Sequence, residues 1–452
     1  MITAIIIVFI LGYLAIAFEH QLHINKAASA LLVGGICWAL YAIDVSSLIS
    51  IEQIPGWFIE ESRTNQVENV AQHYLVEGQL LGLTGEIAGI LFFLMGAMTI
   101  VELVDAHEGF ALITDRIRSR NRVKLLWIVC WLTFFLSAIL DNLTTTIVMI
   151  SLVSRLVHDR ETRLMFAGFV VIAANAGGAW TVIGDVTTTM LWIKHKIGTV
   201  EVMQQVFGAS VACLLVPLVG ISYFMRGDLA DSDKSESKLE STIRPWQQRV
   251  MLVAGVLGLL FVPAFKAYTH LPPYIGMILS LGALWVISEF ISHTMDERTR
   301  SSTGVLAALK RVDMSSVLFF LGILLAVGSL GKIGILQQLA HQLDTTVGNA
   351  DIVAVLIGLV SAVVDNVPLV AAGIEMYELP TNDRFWMFLA YCAGTGGSCL
   401  VIGSAAGVAA MGIEQINFIW YFRRIAPWAL LGYFSGVAVF LLQGWLFAAS
   451  GP

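Results

Sequence analysis

Long apolar runs separated by short polar connectors dominate this chain. A membrane-crossing helix needs about 20 apolar residues, with a range of about 17–25. Runs of that kind lie at roughly 3–18, 27–43, 83–105, 164–193, 208–225, 250–265, 274–292, 315–330, 385–412 and 427–449. The pattern predicts an all-α polytopic membrane protein. Two further apolar stretches, 125–154 and 351–374, cannot be assigned from hydropathy alone.

Basic residues decide those two. Arg116, Arg118, Arg120, Arg122 and Lys124 precede the first stretch, and Arg155, Arg160 and Arg163 follow it. Cytoplasmic loops carry the Lys/Arg excess, so a single crossing would strand one cluster outside. If both stretches are re-entrant hairpins, 20 of the 26 Lys/Arg fall on one side and 6 on the other. If both cross once, the split is 12 and 14 and the orientation signal vanishes. The expectation is therefore two hairpins, both termini outside (periplasmic) and the 226–249 linker cytoplasmic. Arms of about 14 residues reach about 20 Å at 1.5 Å per residue, so each tip stops near mid-membrane.

The chain also echoes itself. Phe92-Phe93-Leu94 recurs as Phe319-Phe320-Leu321, and Ser137–Thr144 (SAILDNLT) recurs as Ser361–Pro368 (SAVVDNVP). Gly177-Gly178 followed by Val182-Ile183-Gly184 recurs as Gly396-Gly397 followed by Val401-Ile402-Gly403. The order is the same at offsets of 227, 224 and 219 residues. This predicts a first repeat over 1–225 (hairpin 125–154, broken span 164–193), a cytoplasmic linker over 226–249, and a second repeat over 250–452 (hairpin 351–374, broken span 385–412). Five crossings separate equivalent points, so the repeats are inverted. Inverted repeats with discontinuous midplane elements are the mark of secondary transporters.

Composition agrees. Only 13% of the 452 residues are charged and 57% are apolar, against about 25% charged in a soluble protein. That excludes a disordered chain and leaves too little polar surface for a soluble enzyme. Net charge is −7 with no basic stripe, so no nucleic-acid partner is expected. The five cysteines lie in apolar runs without a CxxC pair, which indicates neither a zinc site nor disulfides. There is no GxxxxGK[ST] or HExxH motif, hence no P-loop and no zincin site.

Against this scarcity a few polar groups stand out. Asp141 and Asp365 fall in the middle of the two hairpins, each next to an Asn and after a Ser. A charge at the centre of a membrane helix costs roughly 2.5–3.5 kcal/mol on insertion scales. Two readings stand: an Asp capping a half-helix at the tip, or a cation or proton site. Ala174–Thr189 (ANAGGAWTVIGDVTTT) and Gly394–Ser404 (GTGGSCLVIGS) sit mid-span. Their glycines fit either close helix packing or a broken helix lining a polar cavity. The company of Asn175, Thr181, Asp185, Thr187 and Thr188 favours the cavity. Such oxygen donors suit small hard cations, sodium being the natural mobile one. A carboxylate that holds either a proton or a cation is the minimum machinery for exchange. Glu102, one turn inside its span, is open between a solvated edge residue and a proton path.

At these residues the chain resembles the NhaD-type sodium/proton antiporters of the ion transporter superfamily. The likeness rests on 137–153, 174–193, 361–373 and 394–412 and extends over nearly the whole chain. The resemblance implies a bacterial inner-membrane antiporter exchanging Na⁺, and also Li⁺, for H⁺, without a cofactor. It further implies a homodimer with a scaffold and a moving transport part. By motif position it places the cation site at Ser137, Asp141, Asn142, Thr144, Thr145, Asn175, Asp185, Thr187, Thr188, Ser361, Asp365, Asn366, Ser398 and Ser404, with Asp141, Asn142, Asp365 and Asn366 as Na⁺ ligands. Ser404 stands where the repeat would place a second Asp185. Two rivals remain: a sodium-coupled carboxylate or oxyanion carrier of the same superfamily, and a membrane-embedded Mg²⁺-dependent transferase. The first is disfavoured by acidic hairpin tips, the second by the lack of a DDxxD-like cluster.

Overall fold

The computed structural model describes all residues except 18, 115, 116, 118, 120, 226, 228–242 and 450–452. Most of the expected linker and three of the arginines before the first hairpin thus lie outside the described residues. Among the described residues every regular element is helical. The principal helices are α1 (Ile2–Ala17), α2 (Lys26–Ile43), α3 (Leu81–Ala106), α4 (Arg122–Leu140), α5 (Asn142–Leu156), α6 (Arg160–Gly178), α7 (Val186–Ile193) and α8 (Thr199–Phe224). They continue with α9 (Pro245–Thr269), α10 (Pro273–Ser292), α11 (Met314–Ile333), α12 (Ile335–Val347), α13 (Ala350–Val360), α14 (Asn366–Met376), α15 (Arg384–Gly396), α16 (Ala405–Glu414) and α17 (Ala426–Ala449).

Eight helices among the described residues are long and apolar enough to cross a membrane, or nine if α12 and α13 are taken as one bent span. Seven match expected spans. The eighth is α4, because Asn121 caps the helix through Lys124 N and starts it at Arg122, ahead of the apolar run. Its 19 residues give about 28 Å rather than the 20 Å expected for that arm. The expected 83–105 span is longer too: a π-helical segment, Tyr74–Leu80, joins α3 to the preceding turn and makes one 37-residue helix from Val70. Between α3 and α4 the described residues form one short helical turn, Ala111–Thr114.

The chain divides into two compact units, and each draws on both sequence halves. One holds Met1–Phe92, Asp313–Gly348 and Ala371–Glu378. In it α2 packs along α11, fastened by Trp38 Nε1 donating to Leu325 O (2.9 Å), and Tyr41 OH donates to Gln79 Oε1 (2.9 Å). The other holds Phe93–Val312, Asn349–Val370 and Leu379–Pro452, and contains the polar groups singled out above.

Helix direction in this second unit follows from pairing offsets. Ser137 on α4 donates to Ala174 O on α6, and Asp159 lies within electrostatic reach of Arg122, the same 37 residues away. So α4 and α6 are parallel, and α5 must run back between them. The Thr162 hydroxyl and backbone N–H, helped by Arg122 and Arg163, hold the Asp159 carboxyl below its usual range at this end. In the other half Asp351 pairs with Arg384 (2.9 Å) and Ser361 donates to Ala393 O, at offsets of 33 and 32. Thus α13 and α15 are parallel as well, and the chain folds back between them.

The breaks have local causes. At Asp141 the backbone adopts φ 120°, ψ 161°, which no helix tolerates, and α5 restarts with Asp141 Oδ1 accepting from Thr144 N (2.7 Å). Helix α6 ends at Gly178 and α7 begins at Val186; α15 ends at Gly396 and α16 begins at Ala405.

The start of α8 lies opposite the start of α4. Trp127 Nε1 donates to Ser222 Oγ near the end of α8 (2.9 Å), and 26 residues of helix put Thr199 about 39 Å away. Asn382 N donates to Lys196 O (2.8 Å) at that far end. Single cysteines introduced as Arg160→Cys and Thr381→Cys are therefore expected to react with a membrane-impermeant maleimide from opposite faces of the membrane. Labelling of both from one face contradicts these helix directions. The native cysteines are all buried and leave a low background.

Candidate functional site

The centre of the second unit is a buried polar network in which Asp185 is the hub. Asp185 is 2% exposed and stands at the N-cap position of α7, yet its carboxylate does not cap that helix. Instead Asn142 Nδ2 donates to Oδ1 (3.4 Å), while Asn366 Nδ2 (3.3 Å) and Thr187 Oγ1 (2.6 Å) donate to Oδ2. One carboxylate thus receives an amide from the α4–α5 tip and another from the segment after α13. Thr188 Oγ1 closes the turn onto Asp185 O (2.8 Å).

Asn175 is the second junction. Its Oδ1 accepts from Asn142 Nδ2 (3.0 Å), and its Nδ2 donates to Ser398 Oγ (2.8 Å) and Ser404 Oγ (2.9 Å). Ser404 also caps α16 by accepting from Gly407 N (3.1 Å). Most members of the network are buried, so every missing bond would carry a desolvation cost of about 1–3 kcal/mol. The hydroxyls of Ser137 and Ser361 donate to Ala174 O (2.6 Å) and Ala393 O (3.0 Å), which pins each fold-back to its parallel neighbour.

Asp141 and Asp365 are half-buried rather than central. Asp141 caps α5 and also accepts from Thr144 Oγ1 (3.0 Å); Asp365 Oδ1 accepts weakly from Val367 N (3.4 Å). Capping is therefore part of what these two do. Thr145 is buried with no hydrogen-bond partner for its Oγ1, and so is Thr146, which the sequence reading passed over. Glu102 lies within electrostatic reach of Asp141, Asp105 and Arg311. Among the described residues no group of three or more His, Cys, Asp or Glu is placed to hold a metal ion. Any cation here would be met by one or two carboxylates with amide, hydroxyl and carbonyl oxygens, a donor set suited to a hard monovalent ion.

The two glycine pairs do the same work. A Cβ on Gly177 would strike the Phe134 carbonyl, and one on Gly396 the Gly358 carbonyl. One on Gly184 would meet Ser137 O and one on Gly403 Ala362 O. Each fold-back therefore lies backbone-to-backbone on its broken helix. The halves differ where chemistry matters. Gly394, 219 residues after Asn175, has no side chain, and a Cβ there would stand 3.1 Å from Asp185 Oδ2. The missing side chain leaves room for the Asp185 carboxylate.

Residues 4–379 match the family described as citrate transporter, CitMHS. Sodium/proton antiporter 1 of Arabidopsis thaliana is 46% identical over 443 residues, covering 97% of this chain and 72% of the relative. Sodium/proton antiporter 2 of the same plant is 42% identical, covering 96% and 98%. The Na⁺/H⁺ antiporter NhaD of Vibrio cholerae is 30% identical, covering 97% and 91%. The chain belongs to the CitMHS family and is of the NhaD type. Ser398 and Ser404 lie beyond the CitMHS match but belong to the same bonded network as Asn175, which therefore draws residues from both halves of the chain.

The backbone contacts predict a specific mutational pattern. Gly177→Ala and Gly396→Ala should each cost about 1–3 kcal/mol through overpacking against backbone that cannot move aside. Gly412→Ala, which meets nothing within 4 Å, should be neutral. Thermal unfolding of the three purified variants checks this; equal melting temperatures would contradict the close approach.

Proposed function

We propose that this chain is a secondary transporter, not an enzyme, and exchanges Na⁺ for H⁺ across a membrane by alternating access. The observation that carries this reading is the Asp185 carboxylate, buried and receiving neutral donors from both fold-backs and from Thr187. A carboxylate in that setting needs a counter-ion or a proton, because burying an uncompensated charge is costly. Na⁺ and H⁺ satisfy the same need and exclude each other. Loading with Na⁺ from one side displaces the proton, and reprotonation from the other side releases Na⁺. Asn142, Asn175, Asn366, Ser398 and Ser404 are polar groups that also offer oxygens to the ion, and Asp141 and Asp365 add negative potential at the two tips. Ser137, Ser361, Thr144, Thr145, Thr187 and Thr188 shape the surrounding backbone and hydroxyl lining. Glu102, within reach of Asp141, is the proposed proton route.

The same reading treats the halves as inverted repeats. What supports it is the matched pairing of Gly177 with Phe134 and Gly396 with Gly358, together with the two parallel helix pairs. It takes the 1–225 and 250–452 segments as the repeats, a homodimer as the assembly, Li⁺ as a further substrate, and the bacterial inner membrane with periplasmic termini as the setting. The plant and Vibrio relatives named as Na⁺/H⁺ antiporters support the exchange reaction.

The family description favours a second reading, citrate transport. A tricarboxylate would be repelled by Asp141, Asp185 and Asp365, and among the described residues no Lys or Arg hydrogen-bonds to the Asp185 carboxylate.

Proton flux in inside-out vesicles with an imposed ΔpH separates the two. NaCl should collapse the gradient, and Asp185→Asn should reduce the response to background. Because H⁺ competes with Na⁺, the half-saturating Na⁺ concentration should rise as pH falls, approaching about tenfold per unit, the full effect of one proton on one site. A gradient collapsed by citrate and indifferent to Na⁺ would sink the exchange reading.

A further inference from the structure

We propose that Glu414 is a positioning residue for the cation site, acting from the far ends of the helices that build it. The proposal rests on the exchange reading above. Three helices run outward from the polar network. Helix α5 begins at Asn142 and carries Ser154 near its end; α6 carries Arg163 near its start and Asn175 at the site; α16 is capped by Ser404 and ends at Glu414. The intervals are 12, 12 and 10 residues, about 18, 18 and 15 Å of helix.

At the inner ends the three are joined by neutral bonds: Asn142 Nδ2 to Asn175 Oδ1 (3.0 Å) and Asn175 Nδ2 to Ser404 Oγ (2.9 Å). At the outer ends they are joined again, through one side chain. Arg163 Nε donates to Glu414 Oε2 (2.7 Å) and Ser154 Oγ donates to Glu414 Oε1. The Glu414 side chain is only 4% exposed, so this is a buried charge with both oxygens occupied, whereas Arg163 is 26% exposed. The three helices pack on one another pairwise between the two junctions. They therefore form a closed frame tied at both ends.

A frame of this kind transmits geometry. Helices are stiff along their length, so a shift of the α16 end moves Ser404. Ser404 holds Asn175, which holds Asn142, which reaches Asp185. The equivalent tie at the other end of the unit is neutral: Asn382 Oδ1 accepts from Gly198 N, and Thr381 Oγ1 donates to His195 O (2.7 Å). The Glu414 tie uses a buried charge, and breaking a buried pair by removing one partner is strongly destabilising to the local arrangement. None of the three outer groups touches the site itself, so the effect is expected on affinity for the ion rather than on the exchange step.

The test uses full-length protein in inside-out vesicles, with the initial rate of Na⁺-driven proton flux measured against NaCl concentration. Glu414→Gln should raise the half-saturating Na⁺ concentration about fivefold with the maximal rate kept within about twofold, the signature of weakened ground-state binding. Glu414→Asp, which keeps the charge, should recover most of the loss. An unshifted half-saturation, or a fall in maximal rate alone, overturns the proposal. If Glu414→Gln does not reach the membrane, Ser154→Ala carries the test: it leaves the ion pair and should raise half-saturation about twofold, in line with one lost hydrogen bond, and no shift overturns the proposal. Wild-type vesicles that ignore Na⁺ would instead overturn the exchange reading, and the positioning role with it.

Discussion

The buried Asp185 carboxylate organises the second compact unit of this protein. Asp185 sits where water does not reach, at the broken point of a helix, and is held by amides from two separate fold-backs. Burying such a charge is tolerable only if its oxygens are satisfied, and the surrounding chain is arranged to satisfy them. The fold-back of α5 on α4 delivers Asn142. The break between α6 and α7 frees Asp185 from its helix. The side chain missing at Gly394 leaves the volume the carboxylate occupies.

The same constraint gives the exchange reading its physical content. Two cations that share one carboxylate cannot bind together, so the coupling needs no separate device. The frame of α5, α6 and α16 explains how the amides stay in place while the carboxylate changes partner. Its inner junction is neutral and adaptable, and its outer junction is ionic and firm. The family description as a citrate transporter and the relatives named as antiporters are reconciled if a shared scaffold carries different site chemistry, since fold alone does not fix the substrate.

Much of this was legible in the sequence. The scarcity of charge marked a membrane protein, and the arginines around 125–154 argued for a fold-back, because both ends of that segment had to share a side. Gly177-Gly178 and Gly396-Gly397 marked the places where helices stop. What the sequence hid was the ranking of the acids. Asp141 and Asp365 stood out by their repetition and were named as ligands, whereas Asp185, placed in the same site, has no acidic counterpart in the second half. Its centrality depends on contacts 43 and 181 residues away, which no local pattern records. The role of Gly394 was hidden for the same reason, since an absent side chain is informative only once its neighbour is known. The extra length of α4 escaped because a polar cap, Asn121, extended a helix that hydropathy alone would begin later. Glu414 and Arg163 are 251 residues apart, and no local pattern pairs them.

The central claim is that Na⁺ and H⁺ compete for Asp185, and its most direct test is proton release from purified protein. NaCl added to weakly buffered protein in detergent should acidify the solution in a saturable manner, with KCl at equal ionic strength as the control. The account predicts that Asp185→Asn removes this release while the protein stays folded. Release that persists undiminished in Asp185→Asn, or Na⁺ binding by the wild type without any proton appearing, would contradict it.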